Sequence, residues 1–166
     1  MSSDPPAQPP TAPPRREPSR READVVALIA LGGGLGALAR YGLARLWPTR
    51  AGCFPWATFV TNVAGCLAMG VLLACVLHIW PPSRYRRPFL GTGILGGFTT
   101  FSTYVVETRG LLSVGHLPLA VGYALGSVVS GVAGAWLGLV LTRRIASRVD
   151  GSDRSGPSGN GTVVAR

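Results

Sequence analysis

GTGILGGFTTFSTYVVE, residues 91–107, is the stretch on which the fold turns. It is apolar enough to lie in a membrane, yet poorly built to be one continuous helix. Gly91, Gly93, Gly96 and Gly97 weaken its first half, each costing about 1 kcal/mol relative to Ala in a helix interior. Thr99, Thr100, Ser102 and Thr103 then arrive together around Phe98, Phe101 and Tyr104. An unpaired backbone group in hydrocarbon costs several kcal/mol, so a broken helix at membrane depth persists only where protein buries it or water lines it. Two structures satisfy these residues. One is a Gly/Thr-rich helix packed closely on its neighbours. The other is a discontinuous helix whose freed carbonyls hold an ion.

Outward from this stretch the chain supplies three further apolar spans. Hydropathy places the four at about 25–47, 56–79, 88–112 and 119–141, each near the ~20 residues that a bilayer requires. The first contains Gly32, Gly34 and Ala37 in a loose G-x-G-x-x-A pattern. A dinucleotide site is rejected, because no acid follows about twenty positions on and no βαβ unit follows at all. Gly32 and Gly36 fit a close-packing helix face instead. Arg40 in the same span is either a snorkelling residue near a helix end or a functional cation. Asn62, in TFVTNVAG of the second span, is either an interhelical hydrogen-bonding group or a donor aimed at a passing anion. Glu107 is the only acid of the third span and has Arg109 close by to neutralise it. In the fourth span Gly122, Gly126, Ser130, Gly134 and Gly138 recur every four residues, a small-residue ridge that lets another helix approach. Tyr123, Ser127 and Gly131 form a neighbouring line.

The 166 residues are 47% hydrophobic and 14% charged, with a mean hydropathy of +0.32. The charges crowd into the two ends. Residues 1–23 are rich in Pro, Ser and Arg, and are expected to be a disordered tail. Prolines fill the place of an apolar signal core, so no cleavable signal is expected there. Residues 145–166 are Gly/Ser-rich, a second expected tail. Residues 24–144 are the transmembrane domain between them. The net charge is +9 and every basic residue is Arg, but no basic helix face or aromatic interleaving points to nucleic acid. Cys53, Cys66 and Cys75 are an odd number. The last two lie inside an apolar span, as small hydrophobes rather than a disulfide or metal set. No nucleophile, acid–base pair or metal cluster suggests an enzyme.

Three patterns occur in order: GGGLGALARY in the first span, TFVTNVAG in the second, and GGFTTFST followed by Glu107 in the third. Together they closely resemble the CrcB/Fluc family of fluoride channels, over about residues 25–143. The resemblance implies an all-α membrane protein of four transmembrane helices, the third broken near its middle, functional as an antiparallel dimer with two pores. It implies passive fluoride export that lowers the cytoplasmic concentration, in a bacterial inner membrane, with a structural sodium ion at the dimer centre. Residue by residue, it implies a fluoride path past Asn62, Phe101 and Tyr104. Arg40 would face the pore mouth. Thr58, Ser102, Thr103, Glu107, Tyr123 and Ser127 would complete a polar track. The carbonyls of Gly96 and Thr99 would hold the sodium. Tyr104 stands where many relatives have Phe, and Gly131 where Ser is common.

The chemistry suits the residues. Sodium is a hard cation and takes oxygen ligands. Fluoride is strongly hydrated, so a pore must offer donors in place of water: an Asn amide, and the positive edges of aromatic rings. The rivals are a small proton-coupled exporter, which needs a carboxylate deep in the membrane, and a helical protein that only assembles other membrane proteins. Orientation follows from arginine placement. Twelve arginines fall before span one, between spans two and three, or after span four, against Arg45, Arg50 and Arg109 on the other side. The positive-inside rule puts both termini in the cytoplasm. Such a bias suits a hetero-pair with an oppositely oriented homologue, with a dual-oriented homodimer as the alternative.

Overall fold

A computed structural model describes residues 20–153. Helix α1 spans Arg20–Leu46 and α2 spans Trp56–His78. A π-helical segment, Pro88–Leu95, runs into the short α3, Gly96–Phe98. After a gap come α4, Phe101–Ser113, and α5, Leu117–Asp153. Four helical spans, counting Pro88–Ser113 as one, are long and apolar enough to cross a membrane. Very few side chains are buried, and Val106, Leu125, Val129, Val132 and Trp136 are among the many large apolar residues left outward-facing. That pattern belongs to a chain whose solvent is lipid, and the protein is a multi-pass membrane protein.

Glycine decides which helices touch. On α1, a Cβ at Gly32 would lie 2.7 Å from the Phe89 carbonyl oxygen, and one at Gly36 would lie 2.8 Å from the Phe98 nitrogen. The first half of the third span therefore packs backbone against backbone on α1, as the small-residue face at Gly32 and Gly36 predicts. The weak helical backbone of the third span takes a specific form there. Pro88 opens the segment without needing a donor, and the widened π turns carry Gly91 and Gly93 buried against their neighbours.

Helices α2 and α5 make the second close pair. Gly70 meets the Ala135 carbonyl, and Gly138 meets the Leu67 carbonyl. The predicted ridge on α5 acts over this half only. Gly134 and Gly138 are buried, whereas a Cβ at Gly122 or Gly126 would meet nothing within 4 Å. Near the start of α5, Leu111, Ala120 and Tyr123 form a small core, flanked by Phe54, Phe59 and Tyr104.

Both ends are tied. Arg84 donates to the Arg21 carbonyl at 2.9 Å, joining the start of α1 to the 81–87 loop. His116, exposed as expected of a loop residue, also reaches the Gly52 carbonyl at 3.0 Å and joins the other two loops. Gly52 and Gly115, at φ 75° and 80°, supply the left-handed turns there.

Both outer helices reach the limits of the described residues. α1 begins at Arg20, inside the stretch assigned to the N-terminal tail. α5 continues to Asp153, well past Leu141 and into the stretch assigned to the C-terminal tail. No Pro or Gly interrupts 139–150, so the helix continues beyond the hydropathic span, which ends by charge rather than by backbone. The remainder of both expected tails lies outside the described residues.

Candidate functional site

The third span is interrupted at Thr99 and Thr100. Both are extended, at φ −76°, ψ 156° and φ −146°, ψ 125°. The discontinuous form of the helix is therefore the one adopted, and the span is bent by 17°. Thr100 begins α4 as its N-cap. Its hydroxyl oxygen accepts from the Thr103 backbone N–H at 3.2 Å, the usual role of Thr at that position.

Asn62 holds the gap open. Its Nδ2 donates to the Thr100 carbonyl at 2.9 Å, and its Oδ1 accepts from the Thr100 N–H at 2.8 Å. One side-chain amide thus pairs with both backbone groups of Thr100, and one amide hydrogen of Asn62 remains. The two expectations for Asn62 are compatible: it bridges helices, and it keeps a donor. Arg40 meets the first half of the span. Its Nε donates to the Gly97 carbonyl at 3.2 Å, on the α1 side of the break. Thr99 turns back, with its hydroxyl and its N–H both on the Leu95 carbonyl at 3.0 Å.

The carbonyls of Gly96 and Thr99 accept no hydrogen bond among the described residues. Gly96 is also exposed. The gap therefore has two poles. The C-terminal end of α3 presents open oxygens, which favour a cation. The N-terminal end of α4 presents the N–H groups of Phe101 and Ser102, which have no acceptor among the described residues and favour an anion.

A cavity of about 320 Å³ opens beside the α4 end, lined among others by Asn62, Thr100, Phe101, Tyr104 and Ser127. The Ser127 hydroxyl oxygen is buried and has no hydrogen-bond partner among the described residues. The polar groups form two rungs, one helical turn apart on α2 and α5 and about two turns apart on the third span. The first comprises Thr58, Glu107 and Tyr123, and the second Asn62, Thr100 and Ser127. In the first rung, Thr58 donates to one oxygen of Glu107 at 2.9 Å, and Tyr123 donates to the other at 2.8 Å. Thr58 and Tyr123 are both buried. Two hydroxyls, and not Arg109, are thus the partners of this carboxylate. Each such bond to a charged group contributes about 1.5–3 kcal/mol. The far side of Glu107 faces a recess of about 490 Å³ that also touches Arg50 and Cys53.

The aromatic residues continue the line. Tyr104 donates to the Ala124 carbonyl at 3.1 Å, and its ring lies 5.4 Å from Tyr123 and 5.7 Å from Phe101. Phe101 is 78% exposed. Thr103 accepts from the Thr100 hydroxyl at 3.0 Å, and the Ser102 hydroxyl, more exposed, lies 3.3 Å from the same oxygen. The expected residues thus gather along one line, except Arg40, which lies across the break, and Ser102, at its outer edge. Thr100 is the residue that sequence reasoning missed. A Thr just before an apolar helical run is an N-cap signal, and it pointed to this position.

The fold and site define a four-span helical membrane protein with a split third span and a polar line leading to the split. Residues 27–139 match the family described as CrcB-like protein, Camphor Resistance (CrcB). The chain belongs to that family. It is 47% identical over 126 residues to the fluoride-specific ion channel FluC 1 of Streptomyces coelicolor, covering 76% of this chain and 82% of that protein. It is 54% identical over 102 residues to FluC 2 of Streptomyces avermitilis, covering 61% and 65%. It is 54% identical over 114 residues to FluC 2 of Nocardia farcinica, covering 69% and 81%.

Proposed function

We propose that this protein is a passive fluoride channel that lets fluoride leave the cytoplasm, and that it works as an antiparallel dimer with two pores. The observation that carries this is the line of donors and rings from Glu107 and Tyr123 past Ser127 and Asn62 to Phe101, ending at the positive end of α4. A dehydrated small anion needs donors in place of water, and this line supplies them one after another. The names of the relatives agree. Phe101 is 78% exposed in the single chain, which suits a site completed by a second chain.

The sodium ion suits the other pole of the break. The carbonyls of Gly96 and Thr99 have the hard-oxygen chemistry that such an ion takes. They are open, and a two-fold partner would double them. Bound there, the ion would neutralise the exposed carbonyl end of α3. The arginine bias supports an orientation with both termini in the cytoplasm, in a bacterial inner membrane. One fixed orientation does not by itself build an antiparallel pair, so the partner is an oppositely oriented homologue. The numbered names of the relatives fit more than one such chain per organism.

A proton-coupled exporter fits less well, because Glu107 already accepts from two hydroxyl groups and lies nearly two turns beyond the break. The test is fluoride release from liposomes holding the purified protein, alone and with its paired homologue, read by a fluoride electrode. Release that needs no imposed proton gradient is expected. No release from either preparation contradicts the proposal.

A further inference from the structure

The second rung of the polar line has a wall that neither hydroxyls nor amides account for. Cys66 lies one turn beyond Asn62 on α2, and Gly131 one turn beyond Ser127 on α5. Both line the 320 Å³ cavity that holds Asn62, Thr100 and Ser127. They also face one another. A Cβ built on Gly131 would lie 3.3 Å from the Cys66 sulfur, tighter than an ordinary carbon–sulfur contact. Gly131 thus provides the room in which the thiol sits, on the side where the buried Ser127 hydroxyl oxygen has no partner among the described residues. Cys66 is free and half-buried.

We propose that Cys66 is a further lining residue of the anion path, its S–H continuing the line of donors beyond Asn62 and Ser127 in space that Gly131 leaves open. This rests on the fluoride-path reading of the same cavity. Two consequences follow. The thiol lines the cavity, so a water-soluble thiol reagent that enters the path reaches it, whereas a thiol facing lipid is not reached. The donor is also movable across the cavity: a hydroxyl brought in at position 131 occupies the space that a truncated Cys66 vacates.

The test uses the full chain in liposomes, with Cys53→Ser and Cys75→Ser so that Cys66 is the one thiol. The probe is a charged methanethiosulfonate. The Cys66 thiolate displaces methanesulfinate and forms a mixed disulfide, with the thiol proton going to water. The mass gain reports the reaction without reference to transport. Fluoride flux of the untreated protein tests the underlying reading by itself. Where that flux is present, labelling of Cys66 with loss of flux supports the inference. An unlabelled Cys66 in a conducting protein overturns it and leaves the fluoride-path reading standing. Loss of one hydrogen-bond donor corresponds to about a fivefold fall in flux for Cys66→Ala. The double variant Cys66→Ala/Gly131→Ser recovers most of it, a rescue that a packing role for the sulfur would not give. Flux in Cys66→Ala equal to that of the parent also overturns the inference. Monodispersity of each variant on size exclusion checks its fold.

Discussion

Replacing Asn62 separates what holds the break from what conducts through it. Asn62→Ala removes a bond of 2.9 Å to the Thr100 carbonyl and one of 2.8 Å from the Thr100 N–H. Thr100 is extended and is the N-cap of α4, so both of its backbone groups lose their side-chain partner at once. Each costs about 1–3 kcal/mol if it finds no partner. The cavity beside Thr100, about 320 Å³, is large enough for water, which would offset part of that loss. The net destabilisation is therefore about 2–4 kcal/mol. Asn62→Asp is the informative comparison. It keeps an acceptor for the Thr100 N–H but turns a second oxygen toward the Thr100 carbonyl, so its stability loss is at least as large. It also places a negative charge in the anion line, so flux falls further than in the Ala variant. The assay pairs denaturant unfolding in detergent with fluoride efflux from liposomes. The reasoning fails if Asn62→Ala is as stable as the parent, or if Asn62→Asp is the more stable or the better conducting of the two variants.

Further outcomes follow from other contacts. Phe101→Ile leaves unfolding within about 0.5 kcal/mol of the parent, as expected for an exposed position, and abolishes fluoride flux; a folded variant that conducts at the original rate removes Phe101 from the path. Tyr123→Phe takes one of two donors from the Glu107 carboxylate and costs about 1.5–3 kcal/mol, read by the same unfolding assay; no change would mean the 2.8 Å bond contributes nothing. Gly36→Ala puts a methyl into the Ile94 and Phe98 backbone and yields little folded protein, whereas Gly122→Ala, with open space around it, is tolerated in the isolated chain; the monodisperse yield of each checks this. A reporter on the C-terminus of the chain expressed alone gives signal from the cytoplasmic side only; signal from both sides together with full flux would eliminate the hetero-pair.

Much of this was legible in the sequence because membrane helices leave a coarse, local signal. Hydropathy gave the four spans, and the run of Gly followed by Thr gave the break, since both depend on residues adjacent in the chain. The close approach at Gly32 and Gly36 was also legible, because helical spacing alone puts them on one face. What Asn62, Arg40 and Glu107 bond to was not. Those partners lie 38, 57, 49 and 16 residues away, and which pairs meet depends on the rotation and shift of one helix against another. The ridge on α5 shows the same limit. Gly122, Gly126, Gly134 and Gly138 share one spacing, yet of these four only the last two meet α2, because the helices are in close contact over part of their length. The end of α5 escaped because a charge pattern marks the edge of the bilayer, not the end of hydrogen bonding.

The central claim is that the polar line carries fluoride passively. Its most direct test is the reversal potential across a planar bilayer holding the purified protein, with its paired homologue where needed, and with fluoride on one side and chloride on the other. The expected potential follows the fluoride gradient and does not move when a pH difference is imposed. No current, a potential that follows chloride, or one that shifts with pH would contradict the claim.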